Sequence, residues 1–538
     1  SQQSPAYGAN YTNGDVIGIA LDMDNGTLNF YKNGTDQGQA FSGISGEYAL
    51  ALSTNASGSA AMNFGQRPFY NPSNVPSGYN TLSSQNFADS TILAPREHFD
   101  TLLYEGNAST QSITGLLFSP DWLWIKEEDQ SSNHGIFDSV RGAGKSLNTN
   151  NTNAQQTQTD SVTSFDANGF SLGDNTDSGP DVNYTNGNDF VAWNWNAGSA
   201  ASKTYTVTVV SSGGSNKYRF DGFGTDAVTL DLEEGGTYIF NYPSAHPFRF
   251  STSSDGTHGG GTEYTTGVTV ISSTSVQIVV ASPAPQLYYF CTQHSGMGGA
   301  INTNTTKGSS NFDGSIQTVV KANPTAGFSI VSYAGNQSSA YTIGHGLGVA
   351  PKIIFAKSTT DSVNWGIYYS ILGTNTNFMV FSNTNQGTNN NSEMSGVFAV
   401  LNSSTVQMSY TAFGDQGTNL IMYAFSEIEG YSKFGTYAGN GTTNGKYVFL
   451  GFRPAMIIQK RTDSTGHWYI FDNKRNGFNV DNDSISPDLQ DAEYNVSIID
   501  FLSMGFVWKT NAVAHNASGG TYIYLAFAEA PFKYSRAR

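Results

Sequence analysis

Short runs in which apolar and polar residues alternate fill most of this chain. Ile17, Ile19 and Leu21 alternate with Gly18, Ala20 and Asp22, and Leu28 and Phe30 resume the pattern after Asp24-Asn25-Gly26. A period of two predicts strands, and Asn-Gly between such runs predicts hairpins, because both turn residues accept positive φ. Lys32-Asn33-Gly34 predicts a second turn of the same kind. Asp22, Asp24 and Gly26 mimic half a calcium loop, but strands flank them and no closing Glu follows, so a turn is expected there. Nowhere do Leu, Glu, Lys and Ala recur at helical spacing, which leaves an all-β chain.

The same order of blocks then appears three times. The first copy reads FDTLLYEGN, SPDWLWIK, NHGIFDSVRG, SFDANGFSL and DFVAWNWNAG between residues 99 and 198. The second reads FSIVSYAGN, APKIIFAK, NWGIYYSILG, GVFAVLNSS and NLIMYAFSE between 328 and 427, and the third FGTYAGN, RPAMIIQK, HWYIFDNKRN, DFLSMGFVW and TYIYLAFAE between 434 and 529. Blocks that are short, aromatic or β-branched and bounded by Gly, Asn, Pro or Ser are strands of a sandwich module. Pro120, Pro351 and Pro454 precede the central strand of each copy, and Lys126, Lys357 and Lys460 close it. Triplication argues for a structural unit and against catalysis.

Composition narrows the class. Only 12% of the 538 residues are charged, the net charge is −17, and the 25 Lys and Arg are scattered, so a groove tracking nucleic-acid phosphates is not expected. No apolar run reaches the length of a membrane span. Aromatics at 13% supply enough apolar area for several ordered cores, and a single cysteine excludes an intrachain disulfide framework. Ser, Thr, Asn and Gly provide a neutral, salt-tolerant surface. Stretches near 146–160 and 374–392 read as long surface loops, where binding specificity tends to reside. Trp122, Trp124, Trp193 and Trp195 form i, i+2 pairs, each pair on one strand face. Such rings either pack a core or form a platform that stacks on sugars.

Three resemblances follow from longer motifs. NGDVIGIALDMDNGTLNFYKNG together with MNFGQRPF resembles the C-terminal half of a SPRY domain over roughly residues 12–70, and implies that the chain is a fragment of a longer polypeptide. GIFDSVRGAGK, FDANGFSLG, IGHGLGVAPK, EIEGYSKFGTYAGNG, GFRPAMIIQKRTDSTGHW and FAEAPFKYSRAR resemble repeats in tail-fibre and other virion proteins of marine bacteriophages. Between the first two copies, TYTVTVV, YRFDGF, HPFRFST, SVQIVVAS and LYYFCTQHSGMGG suggest a further Greek-key sandwich. Its order His…Cys-x2-His-x2-Met is similar to that of plastocyanin-type cupredoxins, and the resemblance implies copper ligands at His246, Cys291, His294 and Met297. Alternatives stay open: Cys291 as a small packed hydrophobe, a loop that binds nothing, or zinc or silver in place of copper. His258, in a glycine-rich loop, is a further candidate ligand expected to be solvated.

These readings combine into tandem β-sandwich or jelly-roll-like modules in an elongated chain. The segments are a partial SPRY-like sandwich at 1–75, module copies at 76–200, 325–430 and 431–538, and the cupredoxin-like insert at 203–302. The expected function is that of a virion structural protein, a tail fibre or other appendage, extracellular, that attaches to host surface polysaccharide. Expected partners are other virion proteins and further copies of the chain, as a trimer by analogy with phage fibres, with neither nucleic acid nor membrane insertion. Other classes are a copper protein, a bacterial adhesin or filament subunit, and a polysaccharide depolymerase, for which no catalytic motif is found.

Overall fold

The structure is a computed structural model that describes residues 7–45, 60–65, 67–69, 75–82, 86, 89–177, 179–303, 306–336, 340–372, 378–379, 398–408, 418–475, 479 and 483–531. Strands dominate; among these residues one α-helix is present, Val513–Asn516, and no helix is long and apolar enough to cross a membrane. The chain divides into two compact units, residues 1–89 and 90–538.

The first unit holds an antiparallel meander of Ile17–Asp22, Thr27–Lys32 and Thr35–Phe41. The Asp22 carboxylate accepts the backbone and side-chain N–H groups of Asn25, so it closes the expected turn. Asn33 and Gly34 take φ of 49° and 86°, the conformation a two-residue hairpin needs.

In the second unit the three sequence copies fold alike. Each builds a main sheet from four strands in the order first–last–central–fourth. In copy one these are Phe99–Glu105, Asp189–Trp195, Trp122–Glu127 and Gly135–Asp138. In copy two they are Phe328–Ala334, Asn419–Phe425, Ile353–Ser358 and Gly366–Tyr369; in copy three, Ser432–Ala438, Thr521–Pro531, Phe452–Arg461 and Trp468–Asp472. A three-stranded sheet covers one face of each. Copy two's main sheet is widened by Ser309–Asn311 and Thr318–Asn323 at one edge and Phe378–Met379 at the other.

Strand alternation explains how the copies join. In the central strand of copy one, Leu123 and Ile125 face the small sheet, while Trp122 and Trp124 face away from it into a second core. Ile353 and Phe355 of copy two, and Met456 and Ile458 of copy three, enter that same core. So do Trp193 and Trp195, Tyr423 and Phe425, and Leu525 and Phe527 from the three last strands. The copies are therefore not strung end to end; they share one interior. Sheets buried on both faces also account for the near-continuous apolar runs of these strands, where a half-exposed sheet would show clean alternation.

The contacts between copies run in one direction and close on themselves. The last residue of each fourth strand reaches the last strand of the next copy. Asp138 accepts from the Tyr423 hydroxyl at 2.6 Å, the Tyr369 hydroxyl donates to the carbonyl of Tyr524 at 3.0 Å, and Asp472 accepts from Trp193 Nε1 at 3.1 Å. One-to-two, two-to-three and three-to-one is a heterologous contact that closes after three steps, as in a cyclic trimer, but within one chain. Two arginines with largely buried side chains complete two of the steps: Arg141 pairs with Asp138, and Arg475 with Asp472 at 2.7 Å.

Residues 146–149, expected in an exposed loop, are buried. The Asn148 carbonyl accepts from Trp365 Nε1 of copy two at 2.7 Å, and the Thr149 hydroxyl donates to the Pro487 carbonyl of copy three at 2.6 Å. The loop's polar composition made it look like surface, but here the Asn148 main chain and the Thr149 hydroxyl bond neighbouring copies. The 374–392 stretch lies outside the described residues, except Phe378–Met379.

The insert has its own core between a five-stranded and a four-stranded sheet. A buried charge cluster ties it to the repeats: Lys321 of copy two lies 3.0 Å from Glu233 of the insert and 3.9 Å from Asp121 of copy one.

Candidate metal centre

Strand pairing in the insert brings the sequence-predicted ligands together. Phe248–Ser251 runs antiparallel to Leu287–Cys291 with Phe248 opposite Cys291, so His246, just before the first strand, lies beside Cys291 at the end of the second. Thr292 N–H bonds the Pro247 carbonyl at 3.1 Å and extends that pairing by one step. The loop then folds His294 back over the thiol: Cys291 Sγ and His294 Nδ1 are 3.7 Å apart, and the two imidazole rings are 4.6 Å apart between centroids. One donor atom from each of His246, Cys291 and His294 falls within 4.8 Å of the others.

Three features distinguish this group from a packed corner. His246 Nδ1 is buried with no hydrogen-bond partner, and a buried polar atom is rarely left so. Burial and the neighbouring His294 hold the His246 imidazole below its usual pKa, in the neutral form that binds metal. Cys291 is fully buried while His294 is exposed, so the group has one face toward solvent. Two imidazoles and a thiolate suit copper or zinc. Met297 is buried in the core of the insert three residues after His294, with its carbonyl bonded to Tyr218 N–H at 3.1 Å. The Tyr218 hydroxyl donates to the His246 carbonyl at 2.8 Å. His258 is exposed but not simply solvated, because its Nε2 bonds the Cys291 carbonyl at 3.0 Å.

The other sequence candidates lie elsewhere. Trp122, Trp124, Trp193 and Trp195 are at most 2% exposed, in the core shared by the three copies, so they form no sugar-stacking platform. Their i, i+2 spacing marks one face of a strand, and that face turned out to be an internal one. Lys126, Lys357 and Lys460 are fully buried, and burial pushes each down to about 8. Their ammonium groups cap loop carbonyls, those of Gln130, of Thr152 and Asp361, and of Gly466. Sequence reading missed the Asp138–Arg141 and Asp472–Arg475 pairs, although FDSVR and FDNKR show the same i, i+3 spacing.

The family model described as domain of unknown function (DUF7483) matches residues 94–227 and 301–531, more than half of the chain. The interruption falls within the insert that carries the candidate centre. The SPRY domain model matches residues 1–67, a partial SPRY domain. No solved structure matches the chain.

Proposed function

This chain belongs to the DUF7483 family, and on that footing we propose that it is a structural protein of a bacteriophage particle, a tail fibre or other appendage that attaches to host surface glycans. The observation that carries this reading is the closure of three like modules around one aromatic core within a single chain. Such a body is rigid, repeats its outer surface three times, and fills its interior with rings instead of reactive groups. Repeated weak sites on one rigid frame gain avidity. With the tryptophans internal, glycan contact falls to the Asn-, Ser-, Thr- and Gly-rich loops, whose neutral dipoles match sugar hydroxyls. The ring contacts are used within the chain, so assembly with further copies or other virion proteins uses other surfaces. Immunogold labelling of intact particles tests the reading: label on an appendage is expected, and unlabelled particles overturn it. Label on uninfected cells would favour a bacterial adhesin instead.

A second reading is favoured by the convergence of three donors: the insert, similar in motif order to cupredoxins, binds copper through His246, Cys291 and His294. Bound copper would supply one-electron redox chemistry or a cross-link between the ligand loop and the strand that follows His246. The chain's own residues hold the His246 imidazole neutral, bury the thiol and leave His294 open to solvent. Elemental analysis after copper loading tests this; metal-free protein after loading overturns it.

A further inference from the structure

We propose that the turn carrying Asp255 and His258 is a clamp that positions the ligand loop of the candidate metal centre, with both residues acting as positioning residues. The inference rests on the metal reading above and assigns it a second layer of residues.

The segment Ser253-Ser254-Asp255-Gly256-Thr257-His258-Gly259 leaves the strand paired with the Cys291 strand and folds back over its end as a short 3-10 turn, Gly256–Gly259. Its glycines are needed there. A Cβ at Gly256 would lie 2.5 Å from the Phe290 ring, so the turn packs directly on the residue before Cys291. Gly256 and Gly260 also take φ of 55° and 79°, and Asp255 itself sits at φ 58°, a conformation that Asp tolerates better than most residues. The Ser251 hydroxyl fixes the far end by donating to the Thr262 carbonyl at 2.7 Å.

From this base two side chains reach the two ends of the loop that runs from Cys291 to Met297. His258 Nε2 bonds the Cys291 carbonyl at 3.0 Å; a carbonyl only accepts, so the proton is on Nε2. The Asp255 carboxylate accepts from the Gly296 N–H at 2.8 Å and from the Ser295 hydroxyl. Ser295 and Gly296 are the two residues between His294 and Met297. One turn therefore fixes the backbone at the thiol and the backbone that sets the direction of the second imidazole. Groups that hold ligands in this way change metal affinity by about 10–100-fold when removed.

The test uses the full chain with cobalt(II) as probe, reading the thiolate charge-transfer band and the rate of metal loss to a chelator. D255A and H258A should each speed metal loss by about 10–100-fold and shift the band. D255N should restore both, because its amide still accepts from Gly296 and can donate to Ser295. S295A, which removes only one hydroxyl, should give a smaller change in the same direction and covers the case in which D255A does not fold. Wild-type protein that takes up no cobalt overturns the metal reading and the clamp together. Wild type that binds, with every variant losing metal at the wild-type rate and with an unchanged band, overturns the clamp alone. A D255N variant as defective as D255A also overturns it.

Discussion

Tyr423 donates its phenolic hydrogen to the Asp138 carboxylate across 2.6 Å, although 285 residues separate them in the chain. Asp138 is simultaneously paired with Arg141, and all three side chains lie within the shared interior or at its margin. Trp193 and Asp472 repeat the relationship one step round the ring, with Arg475 in the place of Arg141. Copy two has no acid at that position. Tyr369 occupies it and donates to main-chain carbonyls, so this two-to-three contact is made by a neutral group.

The tryptophans provide a first prediction. All seven are among the largest fully buried side chains, so iodide should leave native fluorescence nearly unquenched, and adding polysaccharide should not change it. Trp122→Ala, which empties a site in contact with Trp195, Phe328 and Tyr423, should cost about 3–5 kcal/mol in denaturant unfolding. Indoles open to iodide would contradict the shared core.

Acid–base behaviour gives a second. Glu128 lies where copy three meets copy one, with its carbonyl accepting from Glu493 N–H. Burial, with Glu493, Asp472 and Asp189 nearby, raises its carboxyl from 4.5 to about 8 despite Arg475. Between those values the folded state holds a proton that the unfolded state has lost. The resulting stability is complete below pH 4.5 and disappears as pH rises through about 8. Glu128→Gln should therefore gain about 1–3 kcal/mol over wild type at pH 9, a range discounted for partial exposure, and almost nothing at pH 4. Thermal melts across pH check this; equal gains at both ends would contradict it.

A third concerns the metal centre. Cys291→Ser removes the one thiolate donor and should abolish any intense visible absorption of copper-loaded protein. His294→Ala should weaken copper uptake while leaving the buried core of the insert intact, since that ring is exposed. Titration with copper(II), followed by absorption, separates the two effects.

Much of the fold was legible because its signals are local. The Asn33-Gly34 hairpin, the threefold order of blocks and the separate vocabulary of the insert all read directly from spacing. The His246, Cys291 and His294 group was legible through its resemblance to the cupredoxin motif order; the pairing of the strand after His246 with the strand that ends at Cys291 is seen only in the structure. What sequence could not convey was which surface each strand face meets. Trp122 and Trp124 look the same on an internal face as on an exposed platform, and Asn148 and Thr149 look like loop surface until a neighbouring copy supplies their partners. Asp255 carries no local signal in the sequence, because its role depends on a turn folding back onto a loop 40 residues away.

The claim that three copies close a ring inside one chain is tested most directly by a double-mutant cycle on Asp138→Asn and Tyr423→Phe, unfolded by denaturant at two protein concentrations. The account predicts a coupling of about 1–3 kcal/mol, as for a buried hydrogen bond to a charged group, with midpoints that do not depend on concentration. Additive single mutants, or midpoints that rise with concentration, would contradict it.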